Sequence, residues 1–140
     1  MRDGRANIAF ASATSLPVES ATVTLMASTE VLEHIPPVDA AVAEMRRVCA
    51  DGAVLVCTIP NNYCYKYDRK GKNIQHVNEW TYEGFIAFMR KHRFELISGI
   101  MLGKYVELPK WLSTATYQLP WRSPDEYHNT NFIYTFRAVA

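Results

Sequence analysis

The sequence has 140 residues, enough for one domain built around one core. Its 49% hydrophobic and 21% charged residues exclude a disordered chain, and its net charge of +1 excludes strong global steering toward nucleic acid or acidic membranes. No apolar run approaches the ~20 residues of a membrane helix, and Met1 to Arg5 is too polar and short for a signal peptide.

In chain order, Ile8-Ala9-Phe10-Ala11 is a short apolar run, followed by a turn-rich stretch from Ser12 to Pro17. Val23 to Ala27 is a second apolar run, rich in strand formers. Such runs suit parallel strands buried on both faces. After Pro36-Pro37, Val38, Val42, Met45 and Val48 or Cys49 share one helical face. Asp39 near the start and Arg46-Arg47 near the end suit the helix dipole, and Gly52 is the expected C-terminal cap. Ala53 to Ile59 is the clearest strand, stopped by Pro60. Val23 to Ile59 therefore reads as a strand–helix–strand unit with a right-handed crossover.

Residues 61–80 read as a loop. Thr81 caps a helix running to about His92, with Phe85, Ile86 and Met89 on its buried side. Phe94 to Leu102 is a further strand, residues 104–131 are irregular, and Phe132, Tyr134 and Phe136 alternate along a last strand expected to lie antiparallel. Alternating strands and helices predict an α/β fold over a single domain, residues 1–140. Cys49, Cys57 and Cys64 are scattered and form no CxxC pair, which fits reduced thiols in a cytoplasmic protein.

Four motifs then occur in a telling order. Ser12-Ala13-Thr14-Ser15-Leu16-Pro17 is followed by Val23 to Ile35, ending in Glu30-Val31-Leu32-Glu33-His34-Ile35. Glu44-Met45-Arg46-Arg47-Val48 with Asp51-Gly52, and Ile59-Pro60-Asn61, complete the series. Together they resemble the C-terminal half of a class I, S-adenosylmethionine-dependent methyltransferase domain, over roughly residues 8–102. The resemblance is to the small-RNA 2′-O- and ubiquinone-pathway O-methyltransferases in particular. It implies a partial Rossmann-like methyltransferase sheet, mostly parallel with an antiparallel last strand, lacking the N-terminal βαβ cofactor-binding unit. S-adenosylmethionine is the implied cofactor, with Ser12, Ala13, Thr29 and Glu30 as its contacts.

The chain departs from the family at three places. Ser12 stands where an Asp usually contacts the adenine, and Val23-Thr24 replaces the usual Phe-Asp. The six glycines (4, 52, 71, 84, 99 and 103) form no glycine-rich turn, whose backbone would approach the cofactor. The isolated monomer is therefore expected to bind S-adenosylmethionine poorly or not at all.

The same resemblance gives Glu30, Glu33, His34 and His76 as a divalent-metal set, with His34 as the catalytic residue. Spacing i, i+3 and i+4 would place the first three on one helical face. Two carboxylates and two imidazoles suit Mn²⁺, Fe²⁺, Co²⁺ or Zn²⁺ better than Mg²⁺. A metal-free reading, with His34 only orienting a helix start, stands beside it.

Tyr63, Tyr65 and Tyr67 with Arg69, Lys70 and Lys72 could stack bases and meet phosphates, or form a solvated loop. The Trp111 to Tyr127 region is either a substrate lid or a cover for a core edge. Asn61 is a site candidate or a turn residue. The acceptor is an RNA or a small molecule, and no membrane is expected. The alternative function is a non-catalytic binding or dimerisation module. In either case the bared side of Val23–Ala27 predicts a homodimer or a complementing chain through that sheet edge, unless Ile8–Ala11 crosses over to pair with it.

Overall fold

A computed structural model describes residues 8–64, 71–104 and 126–140. The strands are β1 (Val23–Thr29), β2 (Cys49–Pro60), β3 (Phe94–Lys104) and β4 (Asn129–Ala138). The helices are α1 (Val38–Val48) and α2 (Tyr82–Lys91), with short 3-10 turns at Leu32–His34 and Glu126–His128. They form one four-stranded sheet in the order β1-β2-β4-β3. β1 and β2 pair in parallel, while β4 lies antiparallel to both β2 and β3. Three strands therefore run one way and β4 runs the other, as expected of a last strand that follows a long irregular connection and not a crossover helix.

α1 forms because Val38, Ala41, Val42, Met45 and Val48 recur on one face and are all buried. α2 starts where the Thr81 hydroxyl accepts from Gly84 N at 3.0 Å, and it buries Phe85, Ile86 and Met89. Both helices cover the sheet face carrying Leu55, Cys57, Ile59, Phe132, Tyr134 and Phe136, which together make the core. Within it Tyr134 donates its hydroxyl to Tyr82 O at 3.1 Å, so the largest buried ring leaves no polar atom unpaired.

By the period-2 alternation of the strands, Leu25, Ala27, Val54, Val56 and Ile133 point to the opposite face. Among the described residues neither helix packs on that face, and Leu25 is 68% exposed. Among the described residues β1 is the outer strand on one side, so its outer edge and this face adjoin each other.

Two local expectations change. Ile8–Ala11 is not a strand: all four residues are exposed without regular structure, and they do not pair with β1. Gly52 is not the cap of α1, because the helix ends at Cys49 with extended backbone and β2 begins there. Gly52 instead takes φ 84° within β2, next to the register shift between Val23 and Leu25 of the paired strand.

Candidate functional site

The site forms where β1 and β2 end, the side of an open parallel sheet where α/β ligands collect. β1 finishes at Thr29, paired with Thr58. Glu30 then takes φ 52°, a left-handed conformation uncommon for a side chain with a Cβ. Its N–H donates to Thr58 O at 3.0 Å, and its carboxylate accepts from Asn131 Nδ2 at 3.4 Å. This turn sends Glu30 toward β4 and lets the chain enter the 3-10 turn at Leu32. Glu30, Glu33 and His34 therefore do not share one helical face, and the clustered ligand atoms are those of Glu33, His34 and His76.

Those three residues offer atoms that all lie within 4.8 Å of one another. Glu33 is 1% exposed, and among the described residues neither carboxylate oxygen has a hydrogen-bond partner in another residue. Burial raises its pKa above the ordinary carboxylate range; its own backbone N–H offsets part of the rise, and the nearby Glu30 charge adds to it. His34 Nε2 lies 3.6 Å from Glu33 Oε1, and the His34 and His76 rings meet edge-on with centroids 4.9 Å apart.

Hydrogen bonds outside the cluster fix the imidazoles. His34 Nδ1 sits 2.9 Å from the Gln75 carbonyl, which can only accept, so this nitrogen carries the proton when the ring is neutral. Nε2 is then left with its lone pair toward Glu33. His76 Nδ1 lies 2.8 Å from Asn62 Oδ1, and its Nε2 lies 2.9 Å from Asn73 Nδ2, which fits Nδ1 as donor and Nε2 as acceptor. A carboxylate facing an imidazole lone pair is an electron-rich arrangement that a cation or a shared proton would stabilise.

His76 reaches the cluster because residues 73–78 strap the 3-10 turn. Val77 N and Asn78 N donate to Glu33 O at 2.9 and 3.1 Å, and Asn78 Nδ2 donates to Leu32 O and Ile35 O at 3.0 and 2.7 Å. On the β2 side, Asn61 is buried and donates to Glu126 O and Asn129 O at 2.9 and 2.8 Å. Asn61 thus ties strand ends together, while its neighbour Asn62 orients His76. Sequence reading missed Asn62, Gln75, Asn78 and Asn131. The signal for Asn62 was its place just past the end of a parallel strand.

The other named positions lie apart from this cluster. Ser12 and Ala13 belong to a tight turn in which Ser15 N donates to Ser12 O at 3.0 Å. Tyr63 is exposed and lies beneath Lys72 Nζ at 5.0 Å. Tyr65, Tyr67, Arg69 and Lys70, and most of the Trp111 to Tyr127 region, lie outside the described residues.

A family model described as a methyltransferase domain matches residues 2–57. No curated protein matches the chain by sequence. A crystal structure of a SAM-dependent methyltransferase from Thermotoga maritima is 14% identical over 91% of this chain and 61% of its own, with a TM-score of 0.68. One from Archaeoglobus fulgidus is 9% identical over 97% of this chain and 69% of its own, at a TM-score of 0.69. The cyclase SpnF is 15% identical over 94% and 56%, at 0.62, so the fold alone does not fix the reaction. The chain spans 61% and 56% of the length of the first two of these relatives to be compared, those from Thermotoga maritima and SpnF. Among the described residues no helix is long and apolar enough to cross a membrane. The chain carries the α/β fold of S-adenosylmethionine-dependent methyltransferases, and in this chain Glu33, His34 and His76 converge at the ends of its parallel strands.

Proposed function

We propose that the chain forms the acceptor side of an S-adenosylmethionine-dependent O-methyltransferase, with Glu33, His34 and His76 holding a divalent cation beside the acceptor hydroxyl. The observation that carries this reading is the Glu33 carboxylate, buried, without a donor from any other described residue, and within reach of two imidazoles. A buried carboxylate left unpaired is costly unless something at the site compensates it. His34 can offer Nε2, and His76 can offer Nε2 in exchange for its bond from Asn73 Nδ2; one carboxylate and two imidazoles suit Mn²⁺, Fe²⁺, Co²⁺ or Zn²⁺. When bound, such an ion lowers the pKa of a hydroxyl, and S-adenosylmethionine supplies an electrophilic methyl group.

The residues of the chain have distinct tasks. Glu33 supplies the negative charge from beneath, in surroundings that exclude water. His34, whose side chain is 40% exposed, borders the acceptor and is the catalytic residue in this reading. The Gln75 carbonyl and Asn62 hold the two rings in orientation. Ser12, Ala13, Thr29 and Glu30 would contact the cofactor, and Glu30 does so instead of joining the metal set.

The location of the cofactor follows from handedness. Parallel strand–helix–strand connections are right-handed in nearly all proteins. Strands added beyond β1 would run across the sheet in the opposite sense to β1–α1–β2, so their helices would lie on the face that α1 and α2 leave open. That face carries Leu25, Ala27, Val54 and Val56. The reversal at β1 is a topological switch point, where a ligand crevice opens. A complementing chain bringing a glycine-rich strand–turn–helix unit would fill the edge and the face; two copies meeting at that edge is the other arrangement. A cytoplasmic location goes with three free, buried cysteines.

The test is metal content after dialysis against Mn²⁺ or Zn²⁺ and removal of the excess. About one ion per chain is expected, lost in Glu33→Gln and in His76→Ala. Equal metal content in all three proteins would defeat the reading.

A further inference from the structure

The segment between the Ser12 turn and β1 has neither helix nor sheet to satisfy its backbone, and one side-chain pair on α1 does that instead. Glu44 Oε1 accepts from Leu16 N at 2.8 Å. Arg47 grips the same carboxylate through Nε at 2.7 Å and Nη2 at 2.8 Å. The guanidinium then reaches outward: Nη1 donates to Ser20 Oγ at 2.9 Å, and Nη2 to Val18 O at 2.9 Å and Leu16 O at 3.3 Å. Backbone bonds from Ala21 N to Arg47 O and from Thr22 N to Val48 O, at 2.9 and 3.0 Å, close the segment onto the helix end.

The pair is built for geometry more than for charge. Arg is planar and forks two parallel donors onto a carboxylate, leaving its remaining N–H groups aimed at fixed positions. Lys in its place would keep the charge and lose the fork. The Arg47 bond, with the Leu16 N–H adding to it, holds the Glu44 carboxyl down at about 2, so the pair stays ionised across the neutral range. Directly before this anchored stretch stands the Ser12–Ser15 turn, closed by Ser15 N to Ser12 O at 3.0 Å and by a 2.9 Å contact between Ser12 Oγ and Thr14 Oγ1. The turn makes its own internal bonds, and the chain that leads from it to β1 is fixed at Leu16, Val18 and Ser20 by Glu44 and Arg47.

We propose that Arg47 and Glu44 are positioning residues that set the Ser12–Ser15 turn at the rim of the cofactor crevice. This rests on the reading above that Ser12 and Ala13 contact the cofactor. Neither residue touches the cofactor in this proposal; both act through the backbone of residues 16–20.

The experiment compares the full chain with Arg47→Lys and Glu44→Gln by amide exchange and by protein-observed NMR with millimolar S-adenosylhomocysteine as probe. The expected result is exchange at Leu16 faster by about tenfold or more in both variants, with β2 and β4 amides unchanged. Because the isolated chain is expected to bind the cofactor only weakly, the probe is used at millimolar concentration; the shifts it induces at the Ser12, Ala13 and Thr14 amides of the unaltered chain should be lost in both variants. Unchanged exchange at Leu16 would overturn the proposal. So would faster exchange with ligand shifts intact, since the pair would then hold the loop without positioning the turn. If the unaltered chain shows no ligand shifts at Ser12–Thr14, the cofactor reading fails and the positioning role falls with it. That result is distinguishable because it appears before any substitution.

Discussion

Replacing Glu33 by Gln separates the cost of the buried carboxylate from its use. The two side chains have nearly the same shape, but Gln is neutral and its amide can donate to His34 Nε2. In the metal-free protein the Glu33 carboxyl is held above the ordinary range by burial, and among the described residues its oxygens have no donor beyond its own residue. An acid whose pKa is raised on folding binds its proton more tightly in the folded state. Its protonated form is therefore compatible with full stability at pH below the ordinary carboxylate range. That stability declines as pH rises from there to the raised folded value. Above that, an uncompensated buried charge costs about 1–3 kcal/mol or more.

In the presence of a chelator at neutral pH, Glu33→Gln should therefore be more stable than the parent by about 1–3 kcal/mol. Its unfolding free energy should also lose most of the fall that the parent shows as pH rises above the ordinary carboxylate range. Urea denaturation as a function of pH reads both quantities. With Mn²⁺ or Zn²⁺ at 100 times its Kd the parent should gain about 2.7 kcal/mol that the variant cannot, which closes most or all of the gap. A variant less stable than the parent in chelator would refute the argument, because the carboxylate would then be satisfied by something other than a cation.

Three further outcomes follow from the packing and the charges. A methyl added at Gly99 would overlap the Tyr82 hydroxyl, and the Tyr82 ring is held against Tyr134 and Phe132 at centroid distances of 5.1 and 5.4 Å. Gly99→Ala should cost about 1–3 kcal/mol by denaturation, and Tyr82→Phe in the same chain should restore part of it. Asp39, at the start of α1, is held below the usual carboxylate range by bonds from Lys91 and then His92 at the end of α2. A carboxylate depressed on folding contributes stability above its ordinary pKa and loses it as pH falls through the lower folded value. Asp39→Asn should thus shrink the stability gap between neutral and strongly acidic pH, as read by acid titration of the circular dichroism signal. Burial pushes the Cys57 thiol up to about 12, with Glu33 adding to the shift, and Cys49 and Cys64 are also buried. Alkylation in native buffer should leave all three thiols unmodified, while addition of denaturant should expose them together.

The strand–helix–strand unit was legible because its signals agree with one another: two apolar runs, a 3.6-residue stripe from Val38 to Val48, and Pro60 as a stop. Thr81 and the Phe132–Phe136 alternation were equally plain, each resting on local chemistry. Ile8–Ala11 misled because an apolar run signals burial without saying what would bury it, and here the run has no strand beside it. Gly52 misled because a glycine after a helix and a glycine in an irregular strand look alike in sequence.

The site was legible in part. Glu33 and His34 are neighbours, so their nearness required no fold. The spacing rule that added Glu30 assumed an unbroken helix, whereas the left-handed backbone at Glu30 turns the carboxylate toward Asn131. His76 lies 42 positions after His34 (76 − 34), and only the family resemblance connected them. The bonds that deliver it, from Asn62, Val77 and Asn78, depend on backbone placement that no periodicity encodes.

Anomalous X-ray scattering from crystals of the unaltered chain grown with Mn²⁺ or Zn²⁺ goes straight to the arrangement on which the account depends. The expected map has a single strong peak bounded by a Glu33 carboxylate oxygen, His34 Nε2 and one nitrogen of His76, at about 2.0–2.3 Å from each. A map without that peak, with Glu33 accepting a hydrogen bond from a water or an imidazole in its place, would contradict it.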